Sequence, residues 1–211
     1  MYLQRKRGII FSSEGNDKPI LFSDASNKPD ASDGLCQYGY CTMWKGGPVG
    51  SISKKLPHVG LSAFHNEYMA LRYAATSAMW IRQILPEIGC GHYVKDPTTI
   101  FGDNTAANSL TAKDFISSGN QHIYVPYHYI KELVRNKNIK VEYKQTKLNI
   151  ADLFTKPVTS QVIEKLLPYL VGQNTSWKDE IPPDIVYKAK LAKVRRGWID
   201  TIIKERSINL T

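Results

Sequence analysis

The sequence holds few features that would place it in a membrane or staple it covalently. Across its 211 residues no apolar run approaches the roughly 20 residues that a spanning helix needs. The first residues, Met1-Tyr2-Leu3-Gln4-Arg5-Lys6-Arg7, are basic, but no apolar stretch follows them. No secretory signal is expected, and the expected location is intracellular, in cytoplasm or nucleus. Cysteine is scarce. Cys36, Cys41 and Cys90 form no CxxC pair and lack histidines at zinc-ligand spacing, which argues against a structural zinc or a disulfide framework. Three cysteines, an odd count, suit a reducing compartment and free, partly buried thiols. There is no internal repeat and no low-complexity segment. Acids are the minority charge: 19 Asp and Glu stand against 28 Lys and Arg, a formal net charge of +9. That excess points to a polyanionic partner, nucleic acid ahead of any membrane surface.

The hydrophobic pattern predicts strands first and then alternation with helices. Pro19–Asp24 is a short buried strand that ends in an acid. Asn27–Gly34 is a loop rich in Asn, Asp, Ser and Pro. Leu35–Lys45 is a strand rich in Tyr, Cys, Thr and Trp, Gly46-Gly47-Pro48 a turn, and Val49–Lys54 the next strand. Tyr68, Leu71, Ala75, Ala78, Ile81 and Leu85 then recur at steps of three and four. They predict a long helix from about Phe64 to Ile84, with Ser62 as N-cap and Gly89 and Gly91 beyond its end. Thr98–Gly102 reads as a strand beside Asp103, Thr105–Ala112 and His122–Asn136 as helices, and Ile139–Lys144 as the last strand. Asn149–Thr155 reads as a helix start, stopped by Pro157. This order predicts a five-stranded mixed sheet with the first strand central and helices on both faces, an α/β class. Gln173–Pro183 reads as a linker. Asp184 to about Leu210 reads as a basic amphipathic helix with Ile185, Ala189, Ala192, Ile199 and Ile202 on one side.

Four acids fall where a mixed sheet builds sites, at strand ends and helix starts: Asp24, Glu67, Asp103 and Asp152. A single acid at a strand end is most often a cap or turn residue; the order of these four on their elements sets them apart. Several carboxylates held together repel one another unless a cation compensates. For an oxygen-only donor set that cation is Mg²⁺, and two such ions suit phosphodiester chemistry.

The same segments resemble a known family. Leu21-Phe22-Ser23-Asp24-Ala25 resembles the opening strand of the ribonuclease H domain in copia-type retrotransposons. Ser51-Ile52-Ser53-Lys54-Lys55 with Leu61-Ser62, then Glu67-Tyr68-Met69-Ala70-Leu71, then Ile100-Phe101-Gly102-Asp103-Asn104-Thr105-Ala106-Ala107 resemble its following motifs. His122-Ile123 through Tyr127-His128-Tyr129-Ile130 and Asn149-Ile150-Ala151-Asp152-Leu153-Phe154-Thr155-Lys156-Pro157 resemble its last two. All six stand in the family's order and spacing, over about Tyr2 to Gly172. The resemblance implies the ribonuclease H-like fold. It also implies a metal site of Asp24, Glu67, Asp103 and Asp152 holding two Mg²⁺, with Mn²⁺ able to substitute. The implied reaction is hydrolysis of the RNA strand of an RNA–DNA hybrid, leaving 3′-hydroxyl and 5′-phosphate ends. Lys54, Lys55, Lys144 and Lys147 are implied phosphate contacts. Asn104 and Asn149 either orient the acids, hold the hybrid or act as ordinary caps.

Tyr2-Leu3-Gln4-Arg5 resembles the last helix of a preceding reverse transcriptase, so a reverse transcriptase domain is an expected partner beside the hybrid. The implied division is 1–17 as a remnant of that connection, 18–158 as the ribonuclease H-like domain, 159–172 as a family C-terminal segment, and 173–211 as linker and basic tail. Two departures stand out. Phe64-His65-Asn66 replaces a segment in which the family commonly places another Glu, so Glu67 alone carries the helix acid. The loop Lys144-Gln145-Thr146-Lys147-Leu148 lacks the histidine that many cellular ribonucleases H place there. His122 and His128 read as helix and packing residues. A catalytically inactive hybrid-binding relic is the first alternative. An integrase-type nuclease orders its acids Asp-Asp-Glu, against the order found here, and a purely structural support for a polymerase is the third reading.

Overall fold

Ile20–Ala25 forms β1, and it lies at the centre of the sheet. Every residue after Ile20 is buried, so neither of its faces and neither of its edges is available to water. The computed structural model describes residues 8–12, 16–111 and 123–172. Within them β1 is followed by β2 (Gln37–Trp44), β3 (Gly47–Lys55), α1 (Ala63–Glu87), β4 (Thr98–Gly102), α2 (Thr105–Leu110), α3 (Tyr124–Arg135), β5 (Ile139–Tyr143), α4 (Asp152–Thr155) and α5 (Ser160–Leu170). Short 3₁₀ turns lie at Gly91–Val94 and Thr146–Leu148. The strand order is β3-β2-β1-β4-β5. β1, β2 and β3 pair antiparallel, while β1, β4 and β5 run parallel. This is the expected five-stranded mixed sheet with the first strand in the middle.

The β2–β3 hairpin corrects the expected turn. Gly47 and Pro48 are not turn residues; they pair with Trp44 and Met43. The turn is Lys45-Gly46, with φ of 52° and 79°. A two-residue hairpin needs left-handed backbone at both positions to match the strand twist, and that geometry outweighed the apparent Gly-Gly-Pro signal. Pro48 is tolerated because β3 is an edge strand. Lys45 is held by an ion pair to Asp17, and the Asn16 Oδ1 accepts from the Gly46 N–H at 2.9 Å.

Helix α1 covers one face of the sheet. Its expected stripe, Tyr68, Leu71, Ala75, Ala78, Ile81 and Leu85, is buried throughout. Leu21 of β1 and Ile100 of β4 share a core with Tyr68, Leu71 and three alanines of α1, and with Tyr127, Ile130 and Leu133 of α3. Each large aliphatic side chain buried there contributes about 2 kcal/mol. Ser62 is the N-cap as expected, its Oγ accepting from the His65 N–H at 3.1 Å. The helix continues to Glu87 because the Ile88 N–H still reaches the Ile84 carbonyl, at 3.2 Å, across Pro86.

The other face carries α4. Tyr38 stacks on Tyr73 of α1, with centroids 4.3 Å apart, so the next residue, Gly39, looks the opposite way. A Cβ on Gly39 would stand 2.7 Å from the Phe154 Cβ and 3.1 Å from the Ile52 carbonyl oxygen. Only glycine lets α4 rest on the sheet at this distance. The Ser53 Oγ adds a hydrogen bond to the Phe154 carbonyl, at 2.5 Å. Helices therefore lie on both faces.

The remaining differences are local. The helices expected over Thr105–Ala112 and His122–Asn136 span Thr105–Leu110 and Tyr124–Arg135; Ala112 and His122 lie outside the described residues. Asn149 is extended rather than helical, since its side chain turns inward, and the helix begins at Asp152. Helix α5, with Leu166 and Tyr169 buried, fills a stretch for which the sequence pattern predicts no element. Residues 8–12, expected from the sequence to be a polymerase remnant, lie against the domain: the Ile10 N–H donates to Val171 and the Ser12 N–H to Lys45, at 2.9 and 2.8 Å. The expected linker and basic tail over 173–211 lie outside the described residues. Among the described residues no helix is long and apolar enough to cross a membrane.

Candidate metal centre

The parallel pairing of β1 and β4 brings two of the four acids together. Phe22 is in register with Phe101, so Asp24 and Asp103, each two residues further on, meet at the carboxyl ends of adjacent strands. The buried run Leu21–Ala25 fixes the first, and the strand end at Gly102 fixes the second. Asp152 arrives from the opposite face as the first residue of α4, whose seat is set by Gly39. One carboxylate oxygen from each of Asp24, Asp103 and Asp152 lies within 4.8 Å of the others. Glu67, the fourth expected acid, is not among these converging oxygens; it stands close by on the second turn of α1, near enough to Asp24 and Asp103 to feel their charge, and accepts from the backbone N–H of Ala25.

The crowding shapes the acids' electrostatics. Burial pushes the Asp24 carboxyl up to about 7; Lys156 opposes this, Asp152 adds to it, Thr155 opposes, and Asp103 adds. Burial pushes Glu67 up to about 9, helped by Asp24 and Asp103 and opposed by Lys156. Asp152 is raised by burial, against the pull of Lys156. Burial and mutual repulsion thus raise these carboxyls more than the single ammonium of Lys156 lowers them. An oxygen-only set, with Asp24 and Asp152 buried and Asp103 half-buried, fits a hard divalent cation.

Two residues at the site carry no role in the sequence motifs considered above. Thr155 donates its hydroxyl to Asp24 Oδ2. The Lys156 Nζ lies 3.3 Å from Asp24 Oδ1 and 3.0 Å from Asp152 Oδ1. The Asp152–Lys156 spacing of four residues hints at a pair, but Lys156 lies just past the end of α4 and reaches the acids from extended backbone.

The other expected contacts divide by setting. Asn149 is wholly buried; its Nδ2 donates to the Ser23 carbonyl at 2.9 Å and its Oδ1 accepts from the Ala151 N–H at 3.2 Å. It ties the Asp152 segment to the strand of Asp24. Asn104 is the N-cap of α2, accepting from the Ala107 N–H at 3.0 Å. Asp103 itself accepts from Thr146 at 2.8 Å. Lys55 is paired with Asp30 and Asp33 at 2.7 and 2.6 Å. Lys54 and Lys147 are exposed, and the Lys144 Nζ lies 5.3 Å from the Phe101 ring centroid. Lys54 pairs with Tyr38 and Ser53 with Gly39, so Lys54 stands one position beyond the strand row that contains Asp24. His65, at the altered position ahead of Glu67, meets His58 with the two Nε2 atoms 3.1 Å apart. His128 packs edge-on against Tyr124 and Tyr127.

Comparison with known proteins places the fold. The structure of LC11-RNase H1 in complex with an RNA/DNA hybrid superposes with a TM-score of 0.50 at 15% identity, covering 65% of this chain and 94% of that one. The sheet order and this likeness define a ribonuclease H-like α/β fold. The chain is a homologue of the retrovirus-related Pol polyproteins of copia-type transposons. It is 29% identical over 177 residues to the Pol polyprotein of transposon TNT 1-94 from Nicotiana tabacum, covering 83% of this chain. It is 30% identical over 151 residues to that of transposon RE2 from Arabidopsis thaliana, covering 71% of this chain. The matched stretch makes up 13% and 10% of those relatives' own lengths. No family model matches the chain.

Proposed function

We propose that this domain is a ribonuclease H that hydrolyses the RNA strand of RNA–DNA hybrids during retrotransposon reverse transcription, acting inside the cell. The observation that carries the reading is the meeting of Asp24, Asp103 and Asp152, with Glu67 beside them, at the carboxyl ends of β1 and β4. Those four residues would hold two Mg²⁺ or Mn²⁺ ions. When bound, such ions activate a water and stabilise the leaving oxygen of a phosphodiester. The protein's own part is placement. Thr155 and Thr146 orient Asp24 and Asp103, and Asn149 locks the Asp152 segment to β1. Lys54, Lys144 and Lys147 supply point charges for the hybrid backbone. Lys55 joins them by leaving Asp30 and Asp33, whereas Asn104 and Asn149 serve by holding the acids' segments. Residues 18–158 form the nuclease domain, with a reverse transcriptase domain as its partner.

The test is cleavage of a hybrid labelled in its RNA strand, with Mg²⁺ or Mn²⁺. Asp24→Asn and Asp103→Asn are expected to abolish cleavage and largely spare hybrid binding, because binding rests on phosphate contacts and cleavage on the carboxylates. Metal-independent cleavage, or full activity in Asp103→Asn, overturns the proposal. Wild-type protein that shifts the hybrid but leaves its RNA whole is the inactive relic. The retention of Glu67 at the acids, with His65 turned to His58, favours the active reading.

A further inference from the structure

The segment Thr155-Lys156-Pro157 closes over the acids in a specific way. Proline disfavours helical backbone at the residue before it, and Lys156 accordingly leaves α4 in an extended conformation, φ −135° and ψ 145°. Its side chain turns back to the strand ends instead of following the helix. There its ammonium takes one oxygen from Asp24 and one from Asp152, two of the three residues whose oxygens converge. Both acids are buried, while the Lys156 side chain is 35% exposed. Lys156 is therefore more open to water than either carboxylate it touches.

We propose that Lys156 is the resident counter-cation of this carboxylate group: it holds Asp24 and Asp152 together without metal, and a divalent ion binds in competition with it. The inference rests on the aspartates being metal ligands. A lysine and a divalent ion compete for these two carboxylates, since both are cations drawn to the same negative charge and repel each other at close range. A long flexible stem lets the ammonium leave at the cost of two charge-assisted hydrogen bonds. Lys156 thus sets the metal affinity as a positioning residue.

Mn²⁺ titrated calorimetrically into the metal-free protein, together with melting in EDTA, tests this. Lys156→Gln is expected to bind Mn²⁺ about tenfold more tightly, a difference of about 1.4 kcal/mol. It should also melt below wild type in EDTA and lose that deficit at saturating Mn²⁺. Lys156→Arg keeps the charge and should follow wild type in EDTA. Asp152→Asn should bind Mn²⁺ more weakly. Damage to the fold alone would weaken Mn²⁺ binding, so a gain in affinity is specific to displacement. Unchanged or weaker Mn²⁺ binding by Lys156→Gln, beside normal binding by wild type, overturns the role of Lys156 and leaves the metal site standing. Absence of Mn²⁺ binding in all four proteins overturns the metal site, and the role of Lys156 with it.

Discussion

Replacing Asp24 by Asn should stabilise the metal-free protein while removing its activity. Asp24 is fully buried, and its carboxyl is pushed up from 3.8 to about 7, chiefly by burial. Between those values the folded chain holds a proton that the unfolded chain has released, so stability falls as pH rises through that window. By pH 8 the full cost of ionising the group has been incurred, on the order of 4 kcal/mol for a displacement of this size. An amide has the same shape, and its oxygen can still accept from Thr155, but it gives up the charge-assisted bond to Lys156. We therefore expect about half the gain, roughly 2 kcal/mol at pH 8, or about 4–8 °C in Tm for a chain of this size. At pH 4 the wild-type carboxyl is largely protonated when folded, and the gain should shrink toward zero. Urea denaturation in EDTA at pH 4, 6 and 8 measures this directly. A variant equally destabilised at pH 4 and pH 8 would refute the reasoning, because the loss would then come from shape or hydrogen bonding rather than charge.

Gly39→Ala should cost about 1–3 kcal/mol, as overpacking does, because the new methyl meets Phe154 and the Ile52 carbonyl. Cleavage should fall further than stability alone explains, since α4 carries Asp152; urea melts compared with turnover at a temperature where both proteins are folded would show it. Removing residues 184–211 tests whether the basic tail grips the hybrid. If it does, affinity weakens and the log–log salt slope drops by about 0.9 for each phosphate that the shortened chain no longer neutralises. Cleavage at saturation stays unchanged, and an unaltered slope marks the tail as a bystander.

Much of the fold was legible because its signals are local and strong. The Leu21-Phe22 run and the α1 stripe each bury a continuous surface, and their position in the chain then dictates the sheet. The acids were legible because strand ends and helix starts can be read one residue at a time. Lys156 was harder, since its placement depends on a proline-enforced bend and on α4 seating against Gly39. Those are three-dimensional facts that no periodicity carries. The hairpin departs from its sequence pattern because Lys45 adopts a left-handed backbone that its composition does not advertise. Helix α5 lay beyond the last motif, where two prolines within and before the helix masked a short amphipathic pattern.

The seat of α4 has a consequence for when the acid cluster is complete. Asp24, Glu67 and Asp103 are all synthesised before Asp152, and Asp152 stands beside Asp24 and Asp103 on a helix whose Phe154 and Thr155 rest on the strand surface at Gly39. A ribosome-bound chain that stops short of that segment holds three acids and an incomplete centre. The acid cluster is thus completed only after all five strands have been made, so a chain terminated before Asp152 carries the sheet without the full set of acids.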